Sequence, residues 1–162
     1  MKKETKHKIK VFLVAILIPL LVGGASALLT RGNMNIYETV NTPPLSPPSI
    51  LFPIVWSVLY VLMGISSALV YLHRENDLES ASRGLVFYGA SLFVNFLWSI
   101  IFFNMQKFLF AFVWLLLLLY LIIKTVIFYK RVYPTAAYLQ IPYILWVSFA
   151  GYLNLAIYIL NK

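Results

Sequence analysis

Residues 108–128 read FLFAFVWLLLLLYLIIKTVIF, an apolar run interrupted by a single charge, Lys124. An α-helix rises about 1.5 Å per residue, so about 20 such residues cross the ~30 Å hydrocarbon core of a bilayer. The composition points the same way: of 162 residues, 62% are hydrophobic and 11% charged, whereas soluble domains carry about 25% charged residues. Surface scales too steeply with size for one small core to hide that much apolar side chain. Lipid is therefore part of the solvent.

Outward from that run, four more stretches are long enough to span: residues 9–29, 50–72, 84–103 and 135–160. Backbone polar groups in hydrocarbon must pair within their own segment. The stretches are solidly apolar, without the alternation of a barrel strand, so each reads as a helix. The expected fold class is all-α: one membrane domain over residues 1–162, built from five transmembrane helices. The first stretch also fits a cleavable secretory signal, with lysines at 2, 3, 6, 8 and 10, an apolar run and then Ala25-Ser26-Ala27.

The net charge is +8, but the basic residues stand at segment ends and form no basic face suited to nucleic acid. They read as a topology signal. With the N-terminus inside, ten Lys and Arg fall on the inner side and three on the outer side, namely Arg31, Lys107 and Lys162. That asymmetry predicts N-in, C-out. The lack of cysteine and the short tails suit a bacterial plasma membrane. Neither a disulfide framework nor a usual zinc ligand set can be assembled from two histidines and no cysteine.

The connections differ in kind. Asn104 to Lys107 is a tight turn that makes the third and fourth helices antiparallel neighbours. The outer loop, residues 30–49, is long for so small a chain. It carries Pro43, Pro44, Pro47 and Pro48, which favour a stiff extended path. It reads as a lid over one end of the bundle, or as a passive linker.

The five acids, Glu4, Glu38, Glu75, Asp77 and Glu79, all lie at the N-terminus or in loops. Ion-coupled transport usually needs an ionisable group near the midplane, and a buried carboxylate pair is absent too, so no catalytic residue is assigned. His7 and His73 fall at the inner membrane edge and read as solvated. What remains inside the membrane is Asn95, Gln140 and Asn154, amides that need partners and so turn inward, as interhelical glue or as ligand contacts.

Aromatic spacing adds to this. Phe52, Trp56, Tyr60 and Met63 share one face of the second helix. Ser91, Asn95, Trp98 and Phe102 form a stripe on the third. Trp146, Ala150 and Asn154 form another on the fifth, with Tyr143 and Leu153 beside it. Indoles combined with amides and small residues suit a pocket for a large flat apolar ligand. Plain helix packing is the competing account of the same stripes.

Three ordered motifs carry a family resemblance that covers most of the chain, from about Leu20 to Asn161. Tyr37, Pro43, Pro47-Pro48, Phe52, Trp56, Leu59-Tyr60 and Gly64 resemble the proline-rich first loop and second-helix tryptophan of the TspO/MBR family. Asn95, Trp98 and Phe102-Phe103 resemble its third-helix stretch. Pro142-Tyr143, Trp146, Phe149-Ala150 and Leu153-Asn154 resemble its fifth-helix signature.

The resemblance implies a five-helix bundle, usually a homodimer, with a cavity open toward the first loop. It also implies a porphyrin such as protoporphyrin IX as ligand, bound without a covalent link. Carried across by position, Trp56 and Trp146 match pocket tryptophans, Asn95 and Asn154 polar contacts, Ala150 the small fifth-helix residue, and Tyr37 the lid. With the spacing argument, the candidate ligand-binding set is Tyr37, Phe52, Trp56, Tyr60, Asn95, Trp98, Tyr143, Trp146, Ala150 and Asn154. The implied roles are binding or sensing, light- and oxygen-dependent porphyrin breakdown with Trp56 and Trp146 as redox or stacking partners, and passive transport of small amphiphiles.

The sequence departs from the family pattern at three places. Leu45 stands where a loop tryptophan is common. Trp114 stands where an acid is common, which implies a lost polar interaction. Leu155 stands at the tyrosine position of the sterol-recognition pattern, so sterol binding does not carry over.

Overall fold

In hydrocarbon a backbone can satisfy its polar groups only locally, and this chain does so nearly from end to end. A computed structural model describes residues 2–162. They form α1 (Lys3–Thr30), the single-turn α2 (Ile36–Thr39), α3 (Leu51–Leu72), α4 (Leu78–Ser99), α5 (Phe108–Val132), α6 (Pro134–Leu139) and α7 (Ile141–Leu160), with no strand among them. Five stretches are long and apolar enough to cross a membrane: Lys3–Thr30, Leu51–Leu72, Leu78–Asn104, Phe108–Val132 and Pro134–Leu160. The protein is an all-α integral membrane bundle.

Local chemistry explains where the helices depart from the expected spans. α4 begins at Leu78, ahead of Gly84, because Asp77 caps it: its carboxylate accepts the Ser80 amide at 2.9 Å. The Ser80 hydroxyl and amide together hold the Asp77 carboxyl below its ordinary pKa. At its C-terminal end α4 widens into a π-helical turn, Ile100–Asn104, closed by the Met105 amide on the Ile100 carbonyl at 3.0 Å. The turn to α5 follows at once, with Gln106 at φ 54°. The expected fifth helix is two pieces, α6 and α7, broken at Gln140. Pro142 has no N–H to give to Tyr138, and the Gln140 amide bonds Ala137 at 3.1 Å in a tighter turn.

Packing follows small residues and buried amides. α4 lies along α5, α1 along α3, and α5 also carries α7. The α1–α3 crossing is close because Gly64 has no side chain: a Cβ there would lie 2.8 Å from the Ala15 carbonyl oxygen and run into the Ile16 backbone. Gly84 lies against Tyr129 in the same way. Between α3 and α6, Gln140 donates to Ser66 Oγ at 3.1 Å, and Ser66 donates to the Ala136 carbonyl at 2.7 Å. Gln140 is thus glue. Trp114 does not leave the polar gap its position implied: its Nε1 donates to the Val94 carbonyl of α4 at 2.8 Å.

α3 makes few close backbone approaches to α7. Aromatic rings fill the distance instead, Trp56 against Tyr143 at 6.1 Å and Phe52 against Trp146 at 5.8 Å. This spread of backbones leaves room for a cavity.

Candidate ligand-binding site

The cavity has a volume of ≈ 580 Å³ and lies among α1, α3, α4 and α7, beneath α2 and the residue 30–49 loop. That volume falls within the ~300–1,000 Å³ typical of small-molecule sites. Helical periodicity brings Phe52, Trp56 and Tyr60 of α3 to its wall in succession. Trp56 stacks on Tyr60 at 5.6 Å and 27°. α4 contributes Trp98 and the π-helical turn that follows it Phe102, whose rings sit 5.3 Å apart, and α7 contributes Ala150 and Asn154. α1 supplies a surface of small residues, Gly23, Gly24 and Ala27. Gly23 packs directly against the Tyr60 ring, which an added Cβ would have to displace. Large rings from α3 and the end of α4, set against the smaller side chains of α7 and the nearly bare surface of α1, shape a slot for something broad and thin.

The amides in this region are already engaged. Asn154 Oδ1 accepts the Trp98 indole N–H at 3.1 Å, and its Nδ2 donates to the Phe108 carbonyl at 2.7 Å. Asn95 donates to the Tyr60 hydroxyl at 3.3 Å. Both set aromatic rings of the wall in place, Asn154 that of Trp98 and Asn95 that of Tyr60.

The roof is tied down at several points. Asn161 and Asn41 exchange two bonds, the Asn41 amide to Oδ1 and Nδ2 back to the Asn41 carbonyl, each 2.9 Å. Tyr152 donates to the Pro44 carbonyl at 2.9 Å. Asn33 donates to Asn104 Oδ1 at 2.9 Å, and Asn104 to the Leu29 carbonyl at 3.1 Å. Tyr37 donates to the Pro47 carbonyl at 3.1 Å and sets its ring edge-on to Phe52 at 4.9 Å. Ser49 donates to Glu38 Oε1 at 3.0 Å. The loop is a fastened cover. Leu45 at its tip has φ 68° and is 82% exposed, so it adds nothing to the cavity.

Of the ten candidate residues, Tyr37, Phe52, Trp56, Tyr60, Trp98, Ala150 and Asn154 line this cavity. Asn95 stands one layer back, behind Tyr60, and Tyr143 one layer back, behind Trp56. Trp146 is off the wall. It borders a shallow apolar groove on the outside of the α3–α7 pair with Ile54, Val58 and Pro142. Phe52 stands between, its ring 5.8 Å from that of Trp146, and takes the inward place. The expectation that Trp56 and Trp146 share the cavity is corrected: the two indoles on its wall are Trp56 and Trp98. The α1 surface was absent from the candidate set. Its signal in the sequence is the four-residue spacing of Gly23 and Ala27, small residues on one face of α1. No three of His, Cys, Asp and Glu come together as a metal site among the described residues.

The comparisons with known proteins agree with this architecture. The sequence matches the TspO/MBR family over residues 15–160. It is 39% identical to the tryptophan-rich protein TspO of Chlorobaculum tepidum, over 77% of this chain and 78% of that one. It is 36% identical to the tryptophan-rich protein TspO of Archaeoglobus fulgidus, over 91% and 94%. Against the translocator protein of Bos taurus it is 33% identical, over 85% and 82%. With most of the chain matched by the family and by relatives of similar length, the protein belongs to the TspO/MBR family.

Proposed function

We propose that this protein holds a planar tetrapyrrole, such as protoporphyrin IX, in the cavity among α1, α3, α4 and α7, and thereby buffers, moves or reports it. The observation that supports this reading is the shape and chemistry of the wall: Phe52, Trp56, Tyr60 and Trp98 on one side and the bare stretch of α1 at Gly23 and Gly24 on another, enclosing ≈ 580 Å³. A macrocycle has two broad π-faces and an apolar rim. Ring stacking and apolar burial would supply its affinity. The photo-oxidative alternative loses one of its two tryptophans at the wall, since Trp146 lies outside, and would rest on Trp56 stacked on Tyr60.

The charge asymmetry supports a plasma-membrane orientation with both the N-terminus and the His73–Asp77 connection inside. The fastened loop and the cavity mouth then face outward. The family also makes a homodimer the expected assembly.

The test is a titration in the dark of purified protein with protoporphyrin IX, read as quenching of tryptophan fluorescence. Saturable quenching is expected, weakened by Trp56→Phe and by Trp98→Phe and left within about twofold by Trp146→Phe. Quenching that never saturates, or that is equal in all three variants, overturns the reading.

A further inference from the structure

α1 is longer than a membrane is thick. Its 28 residues rise about 42 Å, against the ~30 Å of a hydrocarbon core. Its Thr30 end is held under the cover, where the Leu29 carbonyl accepts from Asn104 at 3.1 Å. The excess, about eight residues, therefore emerges at the other end, still helical and carrying Lys3, Lys6, Lys8 and Lys10.

Helical steps of three and four residues sort these charges onto two sides. Glu4 and Lys8 pair at 2.8 Å and stand in line with Ala15, Pro19, Ser26 and Thr30, the side turned to the bundle. Lys3, Lys6 and Lys10, flanked by Lys2 and His7, are exposed and stand in line with Leu13, Leu17 and Leu21. Those leucines are 64%, 52% and 61% exposed and face away from α3, where acyl chains cover them in a membrane. The three lysines continue the same stripe past the hydrocarbon. They stand over the lipids whose tails touch the leucines.

The other charges at this end are turned elsewhere. Arg83 pairs with Glu79 at 2.7 Å, Arg74 donates to the Tyr71 carbonyl at 2.6 Å, and Arg131 lies over the Phe128 ring at 5.5 Å. Lys130 stands in the last turn of α5. Glu75 and Asp77 belong to the connection after α3, on the bundle side of α1. Among the described residues, no acid pairs with Lys3, Lys6 or Lys10.

We propose that this outward face of α1 binds the headgroups of anionic phospholipids, such as phosphatidylglycerol, and gathers them beside the helix. One molecule of that class satisfies both halves of the stripe, its tails on the leucines and its phosphate on the lysines. An acidic protein segment would meet only the charges. Each lysine can lay its apolar stem along the lipid while its ammonium reaches the phosphate. Each attraction is modest and screened by salt, but three within about two turns act on one patch of membrane. This binding is independent of what the cavity holds.

The chain has no cysteine, so Leu13→Cys places one fluorescent label where the lysine stripe meets the leucines. The full chain is studied in phosphatidylcholine vesicles with a minor share of phosphatidylglycerol, and quenching is compared when one lipid or the other carries brominated tails. Leu145→Cys is the reference, a 65% exposed leucine in a span, Pro134–Leu160, without Lys or Arg. Phosphatidylglycerol should be enriched roughly 5-fold at Leu13, the attraction of one lysine near an anionic surface, and less than about twofold at Leu145. Lys3→Gln, Lys6→Gln and Lys10→Gln together should lower the Leu13 value to that at Leu145. Lys8→Gln, on the other side of the helix, should leave it within about twofold. Raising salt from about 0.02 M to about 0.5 M should reduce the enrichment. No enrichment at Leu13, or one that the triple variant keeps, overturns the inference. So does a Leu13 label that neither brominated lipid quenches, since a second copy or another chain would then cover this face.

Discussion

The indole nitrogen of Trp98 on α4 donates to the side-chain oxygen of Asn154 on α7 at 3.1 Å, while the amide nitrogen of Asn154 donates to the Phe108 carbonyl at the start of α5. One carboxamide therefore joins three helices beneath the cavity and fixes the orientation of a wall tryptophan. Asn154 is 1% exposed, so water cannot take over either bond cheaply. Asn154→Ala should cost about 1–3 kcal/mol, since it strands a buried donor and a buried acceptor. Asn154→Asp should cost at least as much, because a carboxylate cannot donate to Phe108. Thermal unfolding in detergent measures both, and a wild-type midpoint for Asn154→Ala would show that the bridge is not structural.

The buried phenols make a sharper comparison. Tyr129 and Ser67 share a hydrogen bond at 3.0 Å, whereas the Tyr143 and Tyr88 hydroxyls are buried with no hydrogen-bond partner among the described residues. Removing an unpaired buried hydroxyl removes a desolvation cost, and removing a paired one strands its partner. Tyr143→Phe and Tyr88→Phe should be neutral or stabilising, and Tyr129→Phe should cost about 1 kcal/mol. The same unfolding assay checks this. A Tyr143→Phe loss as large as that of Tyr129→Phe would mean that its hydroxyl has a partner after all.

Hydropathy and spacing made the membrane fold legible, because length and apolarity alone set where a chain can cross lipid. They also showed which polar residues turn inward. They did not distinguish the layer that touches the cavity from the layer behind it: Trp56 and Tyr143 are both inward, yet the first lines the space and the second packs behind the first. Whether Trp146 or Phe52 faces the cavity depends on the rotation of α7 relative to α3, and that depends on tertiary packing around the Gln140 break. The amide partners were equally hidden. Nothing in the spacing of Asn154 says that its hydrogen-bonding groups belong to Trp98 and Phe108.

The cover over the cavity sets a kinetic expectation. Asn161 holds Asn41 by two bonds and Tyr152 holds Pro44 by one. These bonds are exposed and so sit at the low end of the usual range, about 0.5 kcal/mol each, and losing all three favours an open loop by roughly tenfold. The combined variant Asn161→Ala with Tyr152→Phe should release and capture protoporphyrin IX faster by about that factor, with a smaller change in Kd, since opening affects both directions. Stopped-flow fluorescence reads the rates. Unchanged rates would make the loop a bystander to ligand passage.

Two glycines of similar appearance in the sequence should respond in opposite ways. At Gly64 an added Cβ would strike the α1 backbone at Ile16 and Ala15, and backbone cannot rotate aside as a side chain can. Gly64→Ala must therefore push α1 away from α3, losing contacts along the crossing, at a cost of about 1–3 kcal/mol. Because α1 also bears the small-residue surface of the cavity through Gly23 and Gly24, the same displacement should weaken quenching by protoporphyrin IX. At Gly89 nothing lies within 4 Å of the added carbon. Alanine there should leave the monomer unchanged, or stabilise α4 by up to about 1 kcal/mol through helix propensity. Unfolding midpoints for the two variants, measured side by side in detergent, decide the matter. Equal effects would show that the α1–α3 crossing tolerates more separation than its packing allows.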